Sequence, residues 1–327
     1  VTDERRRLRD LPKANLHLHL TGSMRPATLA ELARRHGVAV PPPLQPGVRH
    51  EWPVFQGRYD AARAAIRTAE DLGRVVREAV EDSADDGCGW LELQFDPGSY
   101  TVVGVPEAVL ETVLTATAGT RTGVVVASSW RRPGEDAERL ARLAARHAPY
   151  GVVGFGLSDD ERLGRVEDFA GAFRIAGDAG LRGVPHSGFY EAAWHVRACV
   201  ERLGVARIGH GITAAADAAT LDLLAARGVA VELCPTSYPP FGVAELATLP
   251  VRAFTGAGVR VALANDDPLL FGADVTEQYR IVRDLGLSDG ELAELARQSI
   301  GASAAPQSVR RDLLSGVDVW QTTSNTP

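Results

Sequence analysis

The chain is poor in cysteine, has one lysine, and contains no long apolar run. Its three cysteines, Cys88, Cys199 and Cys234, stand far apart among 327 residues. They form neither a CxxC pair nor an even framework, which excludes a disulfide scaffold and a cysteine zinc knuckle. Buried, reduced thiols in a cytoplasmic protein are the expectation. No apolar stretch reaches membrane-spanning length, and the charged segment 1–10 has no apolar run after it, so neither a membrane span nor a secretory signal is expected. A net charge of −7 argues against a broad basic face for nucleic acid, and a small molecule is the expected partner. An oligomer is compatible with all of this. Lys13 is the only lysine among 35 basic residues, a bias of codon supply rather than of function.

Several motifs are also missing. No GxGxxG follows the first strand-like run, and there is no Walker A or GxSxG element. The H-x-E and P-C-x-x-C strings of one class of zinc deaminases are absent too.

What is present alternates. Eight strand-like runs, Ala14–His19, Trp90–Phe95, Thr122–Ser128, Gly151–Leu157, Leu181–His186, Arg207–His210, Val229–Cys234 and Val259–Ala264, are separated by amphipathic stretches. Several are apolar throughout, as strands buried on both faces must be. Thr68 and Asp71 form a capping box before Leu72, Val75, Val76, Ala79 and Val80 at helical spacing. Ser288 and Glu291 make another before Leu292, Leu295 and Ala296. The pattern predicts a TIM-type (β/α)8 barrel over 1–315, with extra helices inserted after the first strand and a loose polar tail over 316–327. A doubly wound sheet is the alternative.

The chemistry-bearing residues gather at strand ends. Of eight histidines, His17, His19, His186 and His210 fall there, where barrel enzymes place their catalytic groups. His17 and His19 form an H-x-H, so both rings can point to one face of a strand. Two imidazoles buried at a barrel mouth need a partner, and a metal is an economical one. Asp266 and Asp267 follow the eighth run. Three histidines and a carboxylate suit a catalytic zinc or iron that keeps a place for water. His210, with glycine on both sides, could be a metal ligand or a general base. His36, His50, His147 and His195 read as surface or local structure.

These strings resemble the adenosine deaminase family of the amidohydrolase superfamily. The resemblance rests on residues 12–23 (Pro-Lys-Ala-Asn-Leu-His-Leu-His-Leu-Thr-Gly-Ser), 67–72, 152–161, 186–188, 207–211, 232–237 and 263–268, in order over about residues 11 to 300. It implies one divalent metal, expected to be Zn²⁺, on His17, His19, His186 and Asp266. His210 would orient and deprotonate the metal's water, whose pKa such a metal lowers to roughly 7. Asp266 would help steer the attack, and Asp267 would contact the substrate ring. Asp160 and Glu161 match the family but suggest only helix N-terminal charge.

The departures carry the functional expectation. The family's metal histidine opens a His-Ala-Gly-Glu motif whose glutamate protonates a ring nitrogen. Here the string is His186-Ser187-Gly188-Phe189. Phenylalanine donates nothing, and general acid help is typically worth about 10²–10⁴-fold. Thr21 replaces an aspartate associated with the sugar, Asp159 replaces a glycine that serves the purine, and Gly156 replaces a further aspartate. Phe189, Tyr190, Tyr238 and Phe241 could form an aromatic wall. Three readings follow. The first is a zinc hydrolase acting on a C–N centre of a cyclic or aromatic substrate other than adenosine, such as a lactam, imide or amidine. The second is a purine or nucleoside deaminase with a substitute acid, Glu191 or Asp159. The third is a non-catalytic ligand-binding descendant.

Overall fold

Runs that are apolar on both faces must be covered on both faces, and a closed sheet inside a ring of helices does this. The computed structural model describes residues 6–322 and has this form. Its strands are β1 (Lys13–His19), β2 (Cys88–Phe95), β3 (Thr122–Ser129), β4 (Val152–Ser158), β5 (Arg182–Ser187), β6 (Arg207–His210), β7 (Ala230–Leu233) and β8 (Val261–Leu263). Each pairs in parallel with the next, in the order β1 to β8. The expected eight-stranded α/β barrel is therefore what forms.

The last seam, between β8 and β1, is closed just past the end of β8. Asp266 donates its N–H to the His17 carbonyl at 3.0 Å and accepts from the His19 N–H at 3.0 Å. The same bridge that shuts the barrel thus fixes the backbone of Asp266 against both histidines of the H-x-H.

Three helices fill the long interval after β1: α1 (Pro26–His36), α2 (Trp52–Ala64) and α3 (Ala69–Asp85). The capping box opens α3 as expected. The Thr68 hydroxyl accepts from the Asp71 N–H at 3.1 Å, and the Asp71 carboxylate accepts from the Thr68 N–H at 3.0 Å. Helix α2 lies across the mouth of the barrel and presents Trp52, Phe55, Tyr59 and Arg63 to the cavity there.

The C-terminal expectation is corrected. Residues 316–322 are not a loose tail but the second half of a helix, Gln307–Thr322. Leu313, Val317 and Trp320 are buried, and the Trp320 indole N–H donates to the Arg7 carbonyl at 3.0 Å. Their i, i+4, i+7 spacing forms an apolar stripe, flanked by partly buried Val309 and Leu314, that docks the helix. Residues 323–327 lie outside the described residues. No helix among the described residues is long and apolar enough to cross a membrane.

Candidate metal-dependent active site

The barrel's C-terminal mouth brings His17, His19, His186, His210, Asp266 and Asp267 together. The ring centroids of His17 lie 5.1 Å from His19, 4.5 Å from His186 and 4.9 Å from His210. Such crowding requires a bare backbone beside it. A Cβ at Gly209 would sit 3.0 Å from His17 Cε1 and 3.2 Å from His186 Nδ1, so any side chain there would press both rings out of place. Two strand-end residues take left-handed backbone conformations that only glycine adopts freely: His210 at φ 64° and Asp266 at φ 58°. Each costs on the order of 1–3 kcal/mol, which the surrounding barrel sustains.

The outer nitrogens set the tautomers. His17 Nδ1 meets the Glu232 carboxylate at 2.9 Å, and His186 Nδ1 donates to the Leu157 carbonyl at 2.6 Å. Both rings therefore turn Nε2 inward, bare on His186 and on His17 once its second proton leaves. His19 Nε2 and His186 Nε2 converge to 3.1 Å. Asp266 Oδ1 stands 3.4 Å from His17 Nε2 and 3.3 Å from His19 Nε2, while its Oδ2 accepts from the Ser237 hydroxyl at 2.6 Å. His17 Nε2, His210 Nδ1 and Asp267 Oδ1 are buried without a hydrogen-bond partner. Convergent lone pairs, one carboxylate and an orphaned imidazole nitrogen fit a divalent cation on His17, His19, His186 and Asp266.

The electrostatics agree. Burial opposes a charged His17, but the nearby carboxylates of Asp266 and Glu232 prevail and lift its pKa to about 10. Burial, reinforced by the neighbouring imidazoles, pushes His186 well below its ordinary value, and burial takes His210 down to about 3. Without metal, a proton on His17 holds the two acids together. Metal loading of the stripped protein at pH 7 should release about one proton per chain, and affinity should fall as the pH falls. Calorimetric titration in buffers of different ionisation enthalpy reads this, and a heat independent of buffer would contradict it.

Asp267 lies against Gly22, where a Cβ would be 1.7 Å from its Oδ1. A cavity of about 320 Å³ opens above the cluster. One side is aromatic: Phe189, Tyr190, Phe241 and Phe271, joined by Trp52 and Phe55 of α2. The Phe189 ring packs 4.7 Å from His210 and 5.5 Å from Phe241. The other side is ionic but paired. Arg131 meets Asp159 at 3.0 Å, Arg132 meets Asp96 at 3.0 Å, and Arg63 meets Asp60.

Not every residue singled out in the sequence reaches this cavity. Asp159, Asp267 and Phe189 line it. Thr21 does not: it is buried behind Tyr100, whose hydroxyl is 2.8 Å from its own. Gly156 does not either; it lies within β4, where a Cβ would meet the Val184 carbonyl at 2.8 Å. Glu191 is also absent from the lining. His195 is not a surface residue. It is buried, and its Nδ1 shares a 2.7 Å hydrogen bond with the Ser187 hydroxyl beside His186. Sequence reasoning also missed Glu232 as the partner of His17, although an acid inside an apolar strand was a readable signal.

The model of the family described as "Adenosine deaminase" matches residues 12–320. A Streptomyces coelicolor protein named "Putative adenosine/adenine deaminase" is 48% identical, covering 95% of this chain and 97% of its own. An adenine deaminase of Rhizobium leguminosarum is 31% identical over 93% of this chain and 98% of its own. Among solved structures, adenine deaminase from Arthrobacter aurescens superposes with a TM-score of 0.87 at 29% identity, covering 95% of this chain and 99% of that one. With the barrel, the histidine cluster and these likenesses in place, the chain belongs to the adenosine deaminase family, metal-dependent hydrolases of C–N bonds in the amidohydrolase superfamily.

Proposed function

We propose that the protein is a zinc-dependent hydrolase whose substrate is a flat cyclic or aromatic molecule other than adenosine, attacked at a C–N centre of the lactam, imide or amidine type. The observation that carries this is Phe189. Its ring packs 4.7 Å from His210, at the position where the family resemblance implies a proton-donating glutamate. When bound, the metal supplies Lewis acidity that makes water nucleophilic at neutral pH and polarises the substrate.

The chain's residues supply the rest. His17, His19, His186 and Asp266 would hold the ion. His210 is neutral and leaves Nδ1 without a protein partner, so that atom is free to take a proton. The Ser237 hydroxyl restrains Asp266, and Gly22 lies against Asp267, whose carboxyl borders the cavity where a substrate ring would sit. The rings of Phe189, Tyr190 and Phe241 exclude water and favour a planar substrate. A carbonyl-type carbon needs no protonated ring nitrogen to accept water, which is why these classes suit a site with phenylalanine at this position.

The relatives' names favour a second reading, an adenine deaminase with a substitute acid. The two candidates for that acid are poorly placed. Glu191 does not line the cavity, and Asp159 is held by Arg131 and by the Ser129 hydroxyl at 2.9 Å. The deciding experiment assays adenosine, deoxyadenosine and adenine by ultraviolet absorbance, using protein of counted metal content. No turnover with a full metal site is expected, together with turnover of one member of a lactam, imide and amidine panel. Robust turnover of any of the three purines would overturn the first reading in favour of the second.

A further inference from the structure

We propose that Glu161 is a positioning residue that fixes the loop carrying Phe189, and with it the shape of the pocket beside His210. Its effect on substrate choice rests on the reading of Phe189 given above; its effect on the loop does not.

In the sequence Glu161 matches the family but reads only as helix N-terminal charge. The fold gives it one specific task. Its Oε1 accepts the backbone N–H groups of three successive residues, Phe189 at 2.9 Å, Tyr190 at 2.8 Å and Glu191 at 2.7 Å. Three consecutive amides pointing at one spot form an anion-binding concavity. Here the chain's own carboxylate fills it, and the residue is only 2% exposed. A loop two residues past a metal-binding histidine would otherwise leave three amides to find solvent or a ligand.

The segments on both sides are built for this contact. Asp159 takes φ 78°, turning the chain so that Glu161 points back under the loop. Gly188 takes φ 72°, and a Cβ there would meet Val196 Cγ2 at 2.6 Å, so the loop leaves β5 along a single path. Arg162, held by Asp160 at 2.8 and 2.7 Å, lies 4.0 Å over the Tyr190 ring. Residues 159–162 therefore grip residues 188–191 at both the backbone and a side chain. Phe189 can keep its place against His210 because its own N–H is one of the three that Glu161 holds.

The test uses the full metal-loaded chain labelled with 4-fluorophenylalanine. The chain has nine phenylalanines, and loss of a fluorine signal in Phe189→Leu assigns that of Phe189. Glu161→Leu is expected to shift and broaden the Phe189 resonance while those of Phe155 and Phe254 and the metal content stay unchanged. Glu161→Gln, which keeps one acceptor oxygen but loses the charge, should leave the Phe189 ring in place while weakening the three backbone hydrogen bonds. An unmoved Phe189 resonance in Glu161→Leu would overturn the proposal. If that variant does not fold, hydrogen exchange still decides. The amides of residues 189–191 should be protected in the wild type and exchange at least about tenfold faster in Glu161→Gln. Unprotected amides at Tyr190 and Glu191 in the wild type would overturn it as well. None of these readouts needs a substrate, so they stand even if the wild type proves to deaminate adenine.

Discussion

Replacing Arg207 with methionine should lower the free energy of unfolding by about 3–5 kcal/mol and reduce metal affinity as well. The barrel interior below the metal site is not hydrocarbon. The Arg207 guanidinium lies between the carboxylates of Glu92 and Glu232, and all three residues are essentially inaccessible to solvent. Arg207 also donates to the Ala302 carbonyl at 3.1 Å, while Glu92 accepts from the Trp90 indole at 3.0 Å and the Ala304 N–H at 2.6 Å. Methionine fills the space but leaves two buried acids facing each other without their cation.

The loss reaches the metal through Glu232. Burial works to raise the pKa of this carboxyl, but Arg207 and His17 outweigh it and hold it below the ordinary value. Stability from this group is therefore present at neutral pH and disappears as the pH falls through its lowered pKa. Without Arg207, the Glu232 carboxylate loses the donor that fixes its position, and His17, whose Nδ1 it meets, loses its fixed orientation. Changes of this kind behind a ligand typically cost about 10–100-fold in metal affinity. Urea unfolding at pH 7 and chelator competition measure the two effects. Adding Glu92→Gln to the variant should restore part of the stability by removing one stranded charge. A single-variant loss below about 1 kcal/mol would show that the ion chain is dispensable.

This network also shows where sequence reading stops. The strands were legible because they are buried on both faces and most of their positions are apolar, several runs without interruption. The histidine cluster was legible because a polar ring at the end of such a run is conspicuous. Glu92, Arg207 and Glu232 were equally conspicuous as charges inside strands, but their partnership depends on which strands face across the barrel, and that comes only with closure. Glu161 poses the same difficulty in a loop: its partners are three backbone amides, which every sequence has everywhere. His195 proved to be local structure rather than surface: it lies on the same helix face as Val196, Cys199, Val200 and Leu203 and meets Ser187. The helix through Trp320 was missed because its second half reads as short and polar, and only three of its sixteen residues, Leu313, Val317 and Trp320, are buried at regular spacing.

Phe189→Glu should raise adenine or adenosine deamination by about 10²–10⁴-fold over the wild type, the usual contribution of a positioned general acid. The geometry favours delivery of the carboxyl to the right place. The ring it replaces already faces His210 from a loop whose amides are tied to Glu161, so the new side chain inherits a fixed direction. Position 189 is only 8% exposed, and burial raises a carboxyl's pKa, favouring the protonated form that can donate at neutral pH. The exchange removes ring contacts to His210, Tyr238 and Phe241 and buries a polar group, so a stability loss of about 2–4 kcal/mol should accompany the gain. Ultraviolet assays on protein of matched metal content read the rate, and thermal melting reads the cost. Phe189→Leu is the control: it opens the pocket without supplying a proton and should leave purine turnover at the wild-type level. Equal gains in both variants would mean that the phenylalanine excluded purines by bulk alone. A folded, metal-replete Phe189→Glu variant with no gain would mean that the purine is refused elsewhere, and the paired Arg131–Asp159 wall across the cavity would be the next place to look.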